Sequence, residues 1–128
     1  TVLLDLSDQS SETLQEQIVR QIRARILTGE LSADEELPSI RAMARQLRVS
    51  VITVGRAYER LAQQGLIHAR RGKGYYVSAV TSKQRDAMAR ERLTIELDQL
   101  VRAALAEGLD EEDIRGLVEA VLKRQRRR

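Results

Sequence analysis

From Leu14 onward an apolar residue returns at every fourth position, at Ile18, Ile22 and Ile26, and Val19 and Leu27 widen the stripe. Residues four apart lie one above the other on a helix, so this spacing predicts an amphipathic helix. Thr13 followed by Glu16 has the spacing of a capping box at its start, and Gly29 ends it. An acidic loop from Glu30 to Glu36 leads to the sole proline, Pro38. Behind it Ser39 is a natural N-cap for a helix of two turns whose inner face is Ile40, Met43, Ala44 and Leu47. Only Arg48 and Val49 separate that helix from Ser50, a second N-cap. Val54, Ala57, Tyr58 and Leu61 then mark the inner face of another helix, running to Gln64. Two short helices across so tight a turn follow the helix-turn-helix plan.

Gly65 closes the third helix, and two short runs follow, Leu66 to Arg70 and Tyr75 to Val77, joined by Arg71, Gly72, Lys73 and Gly74. This reads as a β-hairpin whose alternate glycines allow positive φ and a close backbone approach to another surface. Beyond Val77 the composition shifts to Ala, Leu, Glu and Arg without proline. Thr81 with Gln84 is placed to cap a long helix bearing Leu93, Leu97, Leu100, Val101, Ala104 and Leu105, which Gly108 stops. Asp110 and the acids behind it start a last helix with the stripe Ile114, Leu117, Val118, Val121 and Leu122. The predicted fold is mainly α. Residues 1–78 form a winged helix-turn-helix of three helices and a two-stranded wing, and residues 79–128 a two-helix region with a basic tail.

Charge changes this picture more than the total suggests. The 128 residues carry a net +3. Residues 1–37 hold −5, residues 38–77 hold +7, residues 78–122 hold −4 and the tail Lys123 to Arg128 holds +5. The positive block thus coincides with the helix pair and the wing, the footprint that a polyanion partner leaves. With no cysteine there is no disulfide, thiolate zinc site or cysteine nucleophile. No apolar run approaches the roughly 20 residues of a membrane helix, and Thr1 to Asp8 lack the plan of a signal peptide, so a cytoplasmic location without membrane contact is expected.

In a winged helix-turn-helix the second helix of the pair lies in the major groove with its N-terminal residues at base edges. The candidates on that helix for double-stranded DNA are therefore Ser50, Val51, Ile52, Thr53, Gly55 and Arg56, with Arg71, Gly72 and Lys73 of the wing beside the backbone or minor groove; Ser39 and Arg41, at the start of the preceding helix, are further candidates. Arg45 and Arg60 lie one turn from Arg41 and Arg56 and are weaker candidates. Tyr58 is expected in the core, with one of Tyr75 and Tyr76 inward and the other exposed. His68 has no His or Cys partner, so no metal site and no cofactor are expected. Asp34, Glu35 and Glu36 read as a solvated loop, since no nucleophile, phosphate loop or ligand spacing accompanies them. No catalytic constellation can be assembled, and the chain is not expected to be an enzyme. A winged-helix module for protein or RNA is the competing class, and a preference for its own promoter over scrambled duplex separates the two.

The stretch LPSIRAMARQLRVSVITVGRAYERLAQQGLIHARRGKGYYV, residues 37–77, resembles the signature of the GntR superfamily of bacterial transcription regulators. The likeness rests on Leu37, Pro38, Ser39 and Arg41, on Val49 and Ser50 at the turn, on Thr53, Val54, Leu61, Gly65, Leu66 and Ile67, and on the Arg-Gly-x-Gly wing. A short two-helix C-terminal part is similar to the YtrA-like subfamily. The resemblance implies a homodimer, usually a repressor, on a palindromic operator, with Arg41 contacting DNA, Ser50 and Thr53 near phosphate or base, and Gly72 at the wing tip. Two positions depart from it. Many members place Arg or Pro where this chain has Val51, and a long polar or basic residue where it has Gly55. Valine cannot make the bidentate contact to guanine that arginine makes. Gly55 costs a helix interior about 1 kcal/mol relative to alanine, either repaid by close approach to DNA or simply tolerated.

The long C-terminal helix carries more apolar stripe than one neighbour would cover. A second copy is the expected cover, through Leu93, Leu97, Leu100, Val101, Leu105, Leu117 and Val121. Such a plan also leaves room for a small-molecule effector between these helices and the DNA-binding domain, although no residue pattern names one.

Overall fold

Each helix of the protein begins on a side chain that accepts one of its first backbone amides. In the computed structural model, which describes residues 3–127, Thr13 Oγ1 accepts from the Glu16 N–H at 3.1 Å and so starts α1 (Leu14–Leu27). Glu16 does not complete a reciprocal capping box, because its carboxylate accepts from the Thr13 hydroxyl instead. Ser39 starts α2 (Ile40–Leu47) and Ser50 starts α3 (Val51–Gln63) in the same way. Between α2 and α3 the chain turns at Arg48, whose φ of 58° and ψ of 44° are left-handed. Its N–H then reaches back to Arg45 O, while Val49 N–H reaches Ala44 O at 3.0 Å. A left-handed arginine is strained by roughly 1 kcal/mol or more, so the turn is imposed by packing on either side of it.

That packing centres on α3. Val54, Ala57, Tyr58 and Leu61 are buried against Ile18, Ile22 and Ile26 of α1 and against Met43 and Ala44 of α2. The Tyr58 hydroxyl donates to Pro38 O at 2.7 Å, so the ring is buried without an orphaned hydroxyl. Burial also pushes its pKa up, which keeps it a neutral donor. An extended segment before α1 is tied down by two glutamine amides. Gln21 exchanges hydrogen bonds with the backbone of Asp5, and buried Gln17 does the same with Ser7.

The wing is an antiparallel pair, β1 (Ile67–Arg70) and β2 (Gly74–Val77), in the register Ile67↔Val77, His68↔Tyr76, Ala69↔Tyr75 and Arg70↔Gly74. Its other edge is not free. Asp34 N–H donates to Val77 O, Val77 N–H to Glu35 O and Leu37 N–H to Tyr75 O, all within 2.9 Å. The end of the acidic loop therefore lies along β2, bridged to it at Glu36↔Tyr76, and its side chains are engaged. Asp34 pairs with Arg70 at 2.8 Å, and Glu36 accepts from the Tyr76 hydroxyl at 3.3 Å. The loop is exposed, as a solvated loop should be, and it also fastens the wing. Tyr75 and Tyr76 do point to opposite faces, but neither is fully exposed. Tyr75 meets Tyr58 edge-on at 5.2 Å, while the Arg70 guanidinium covers Tyr76 at 4.1 Å.

The chain divides between Arg85 and Asp86 into two compact units. The second holds most of α4 (Ser82–Ala106) and all of α5 (Glu111–Arg126). Thr81 and Gln84 cap α4 reciprocally, and Asp110 and Asp113 form a full capping box on α5. Pairs four residues apart, Arg90–Asp86, Arg102–Asp98 and Arg115–Glu111, run along the exposed faces. Neither helix buries a residue. Among the described residues no helix is long and apolar enough to cross a membrane.

Candidate nucleic-acid interface

The cap that starts α2 also sets its first cation. Ser39 Oγ accepts from Ala42 N–H at 3.1 Å, leaving the hydroxyl proton free to donate outward. Arg41, two residues on, is exposed, and Arg45 follows one turn later, also exposed. At the start of α3 the Ser50 hydroxyl accepts from Thr53 N–H at 3.0 Å and shares a hydrogen bond with the Thr53 hydroxyl at 2.9 Å. Thr53 is half-buried; Val51, Ile52 and Arg56 are exposed. The N-terminal amides of α3 and its dipole favour an anion at this end.

The wing tip is open. Arg71, Gly72 and Lys73 are all exposed, and Lys73 N–H closes the turn onto Arg70 O at 2.9 Å. Gly72 has φ of 73°, and a Cβ there would meet nothing within 4 Å, so the glycine is required by the backbone and not by crowding. Gly55 is different. It is helical, and a Cβ added to it would lie 4.0 Å from Ile40 Cδ1, an ordinary contact.

Among the described residues no carboxylate pairs with Arg41, Arg45, Arg48, Arg56, Arg60, Arg71 or Lys73. Arg70 is the exception, held by Asp34 and by the Tyr76 ring. Tyr76 itself is pushed up in pKa by burial and then by Glu36. Sequence reasoning counted Arg70 in the basic block and did not find this network. Its members are 36 and 40 residues apart, and nothing local marks them. His68 turns to Ser78, with Nδ1 2.9 Å from its Oγ. Among the described residues no three His, Cys, Asp or Glu side chains cluster to hold a metal.

The second unit holds the other predicted set. Leu93, Leu97, Leu100, Leu105, Leu117 and Val121 are exposed, and Val101 is half-buried. The spacing of Leu93, Leu97, Leu100 and Ala104 alternates four, three and four, which makes a straight seam along α4. Ile95 and Leu109 are exposed as well and were missed, because neither falls on the helical stripe.

Three helices, a tight turn before α3 and a fastened two-stranded wing under an unpaired basic surface define a winged helix-turn-helix regulator. The chain belongs to the GntR family: residues 14–77 match the bacterial regulatory proteins, gntR family. It is 33% identical over 93 residues to an uncharacterized HTH-type transcriptional regulator, YhcF, of Bacillus subtilis, covering 70% of this chain and 77% of that one. It is also 33% identical over 76 residues to the HTH-type transcriptional repressor YtrA of the same organism, covering 59% and 58%. That second match spans under two thirds of YtrA. Among solved structures, a GntR family transcriptional regulator from Listeria monocytogenes overlays with a TM-score of 0.70 at 26% identity, covering 90% of this chain and 98% of that one. The resemblance in residues 37–77, the winged fold and the likeness to YtrA are borne out. The chain is a helix-turn-helix transcriptional regulator of a family that binds DNA.

Proposed function

We propose that the protein is a cytoplasmic, dimeric repressor that binds a palindromic operator in double-stranded DNA through α3 and the wing. The observation that carries this reading is the run of exposed cations on α2, α3 and the wing tip that have no carboxylate partner among the described residues, together with a second unit whose apolar stripes are uncovered. Arg41, Arg56, Arg71 and Lys73 neutralise phosphates, with Ser39, Ser50 and Thr53 supplying hydroxyls and Gly72 letting the wing backbone come close. Val51 and Ile52 stand where base edges pass. Leu93, Leu97, Leu100, Val101 and Leu105 of α4, with Leu117 and Val121 of α5, bury against a second copy. Two-fold symmetry then sets two α3 helices one DNA turn, or a multiple, apart.

Arg41→Ala is the test. Arg41 is exposed, so the melting transition should be unchanged. Affinity for the chain's own promoter should fall by about 1–3 kcal/mol, and the slope of log K against log salt should lose about 0.9. Binding that ignores salt, or an Arg41→Ala protein that binds as the parent does, sinks the reading.

A further inference from the structure

From α1 to the end of the wing, only two large apolar side chains are exposed: Val51 at 50% and Ile52 at 62%. They are the first two residues of α3, and nothing in the packing asks for them there. The polar groups beside them offer no fork to a base edge. Ser50 and Thr53 hold each other and cap the helix, Gly55 has no side chain, and Arg56 stands one turn beyond Ile52. The tip of α3 therefore presents methyl groups and no hydrogen-bonding fork. Arg48 and Arg56, exposed and without a carboxylate partner among the described residues, flank it along the chain, which fits a polyanion as the surface that covers it. A duplex exposes one apolar group in its major groove, the C5-methyl of thymine.

We infer that Val51 and Ile52 select thymine, by its methyl group, at the operator positions facing the start of α3. This rests on the DNA-binding reading above and makes it more specific. Guanine is not read there, since neither side chain can donate to its O6 and N7. Selectivity at each such position is modest, because one buried methyl changes affinity only about fourfold.

The experiment selects duplexes from a random pool with the full chain, then replaces each protected thymine by deoxyuridine, which removes the methyl and keeps every hydrogen-bonding group. The parent protein should lose about fourfold in affinity at each thymine that faces α3. The double variant Val51→Ala, Ile52→Ala should bind thymine and uracil duplexes alike, with the salt slope of the parent and, both residues being exposed, the same melting temperature. Enrichment of guanine at these positions overturns the inference. So does equal affinity of the parent for thymine and uracil duplexes, and in both cases a preference for selected over scrambled duplex leaves DNA binding standing. If no duplex is preferred and salt has no effect, the DNA-binding reading falls and this inference with it.

Discussion

The two units of this chain obtain their helices by different means. In the first, α1, α2 and α3 bury Ile18, Ile22, Met43, Val54, Tyr58 and Leu61 almost completely, and the wing adds Leu66, Ile67 and Val77. Tertiary burial is strong enough there to hold Arg48 in a left-handed conformation. In the second, neither α4 nor α5 buries a residue. Their helicity is specified locally, by reciprocal caps at Thr81 and Asp110 and by ion pairs four residues apart, each pair supplying a few tenths of a kcal/mol. Ten large apolar side chains between Leu93 and Leu122 are exposed. The first unit covers most of its own apolar surface; the second leaves its own exposed.

If that contrast is right, one substitution in the second unit should alter association without touching the first. Leu100 is 66% exposed, in the middle of the α4 seam. Leu100→Glu removes about 1.5–3 kcal/mol of apolar burial from each of two symmetry-related sites and adds an unpaired charge to both. We expect a loss of about 3–6 kcal/mol per dimer, read as a monomeric mass by light scattering at micromolar concentration. The unfolding transition of the winged unit should stay where it was. A parent chain that is itself monomeric would break the comparison at once.

The opposite lesion belongs in the first unit. Tyr58→Ala leaves a cavity beneath α3 and strands Pro38 O, for a loss of about 3–5 kcal/mol of stability measured by denaturant unfolding. That is a large part of what a domain of this size has to spare. DNA binding should go with the fold, in contrast to Arg41→Ala, which should lose affinity alone.

The helix boundaries were legible because each helix starts on a residue that announces itself: Thr13, Ser39, Ser50, Thr81 and Asp110. Periodicity then placed Ile18, Ile22, Val54, Tyr58 and Leu61 inward without ambiguity. What escaped was non-local or imposed. The strand-like run from Asp34 to Leu37 has no alternating apolar pattern, and its partner lies about forty residues on. Arg48 is left-handed without being a glycine or asparagine, so no residue type signals the turn. The interface residues were legible as charges and caps, but the sequence did not show that Arg70, alone among the wing cations, is already held by Asp34 and Tyr76.

Gly55 offers the smallest effect and the sharpest distinction. From sequence, it was either a close-approach glycine facing DNA or a helix interior tolerated at some cost. The direction of its missing Cβ, toward Ile40 Cδ1 at 4.0 Å, points it along the α2–α3 packing, with room for a methyl group. Gly55→Ala should therefore stabilise α3 by about 1 kcal/mol, the difference in helix propensity, visible as a rise in the denaturation midpoint. Since the fold accepts the methyl, any loss of DNA affinity in this variant belongs to the complex. An unchanged affinity makes Gly55 a tolerated residue of the first unit's packing. A drop of tenfold or more, in a protein more stable than its parent, would show that the duplex backbone comes close enough to α3 to exclude a single carbon.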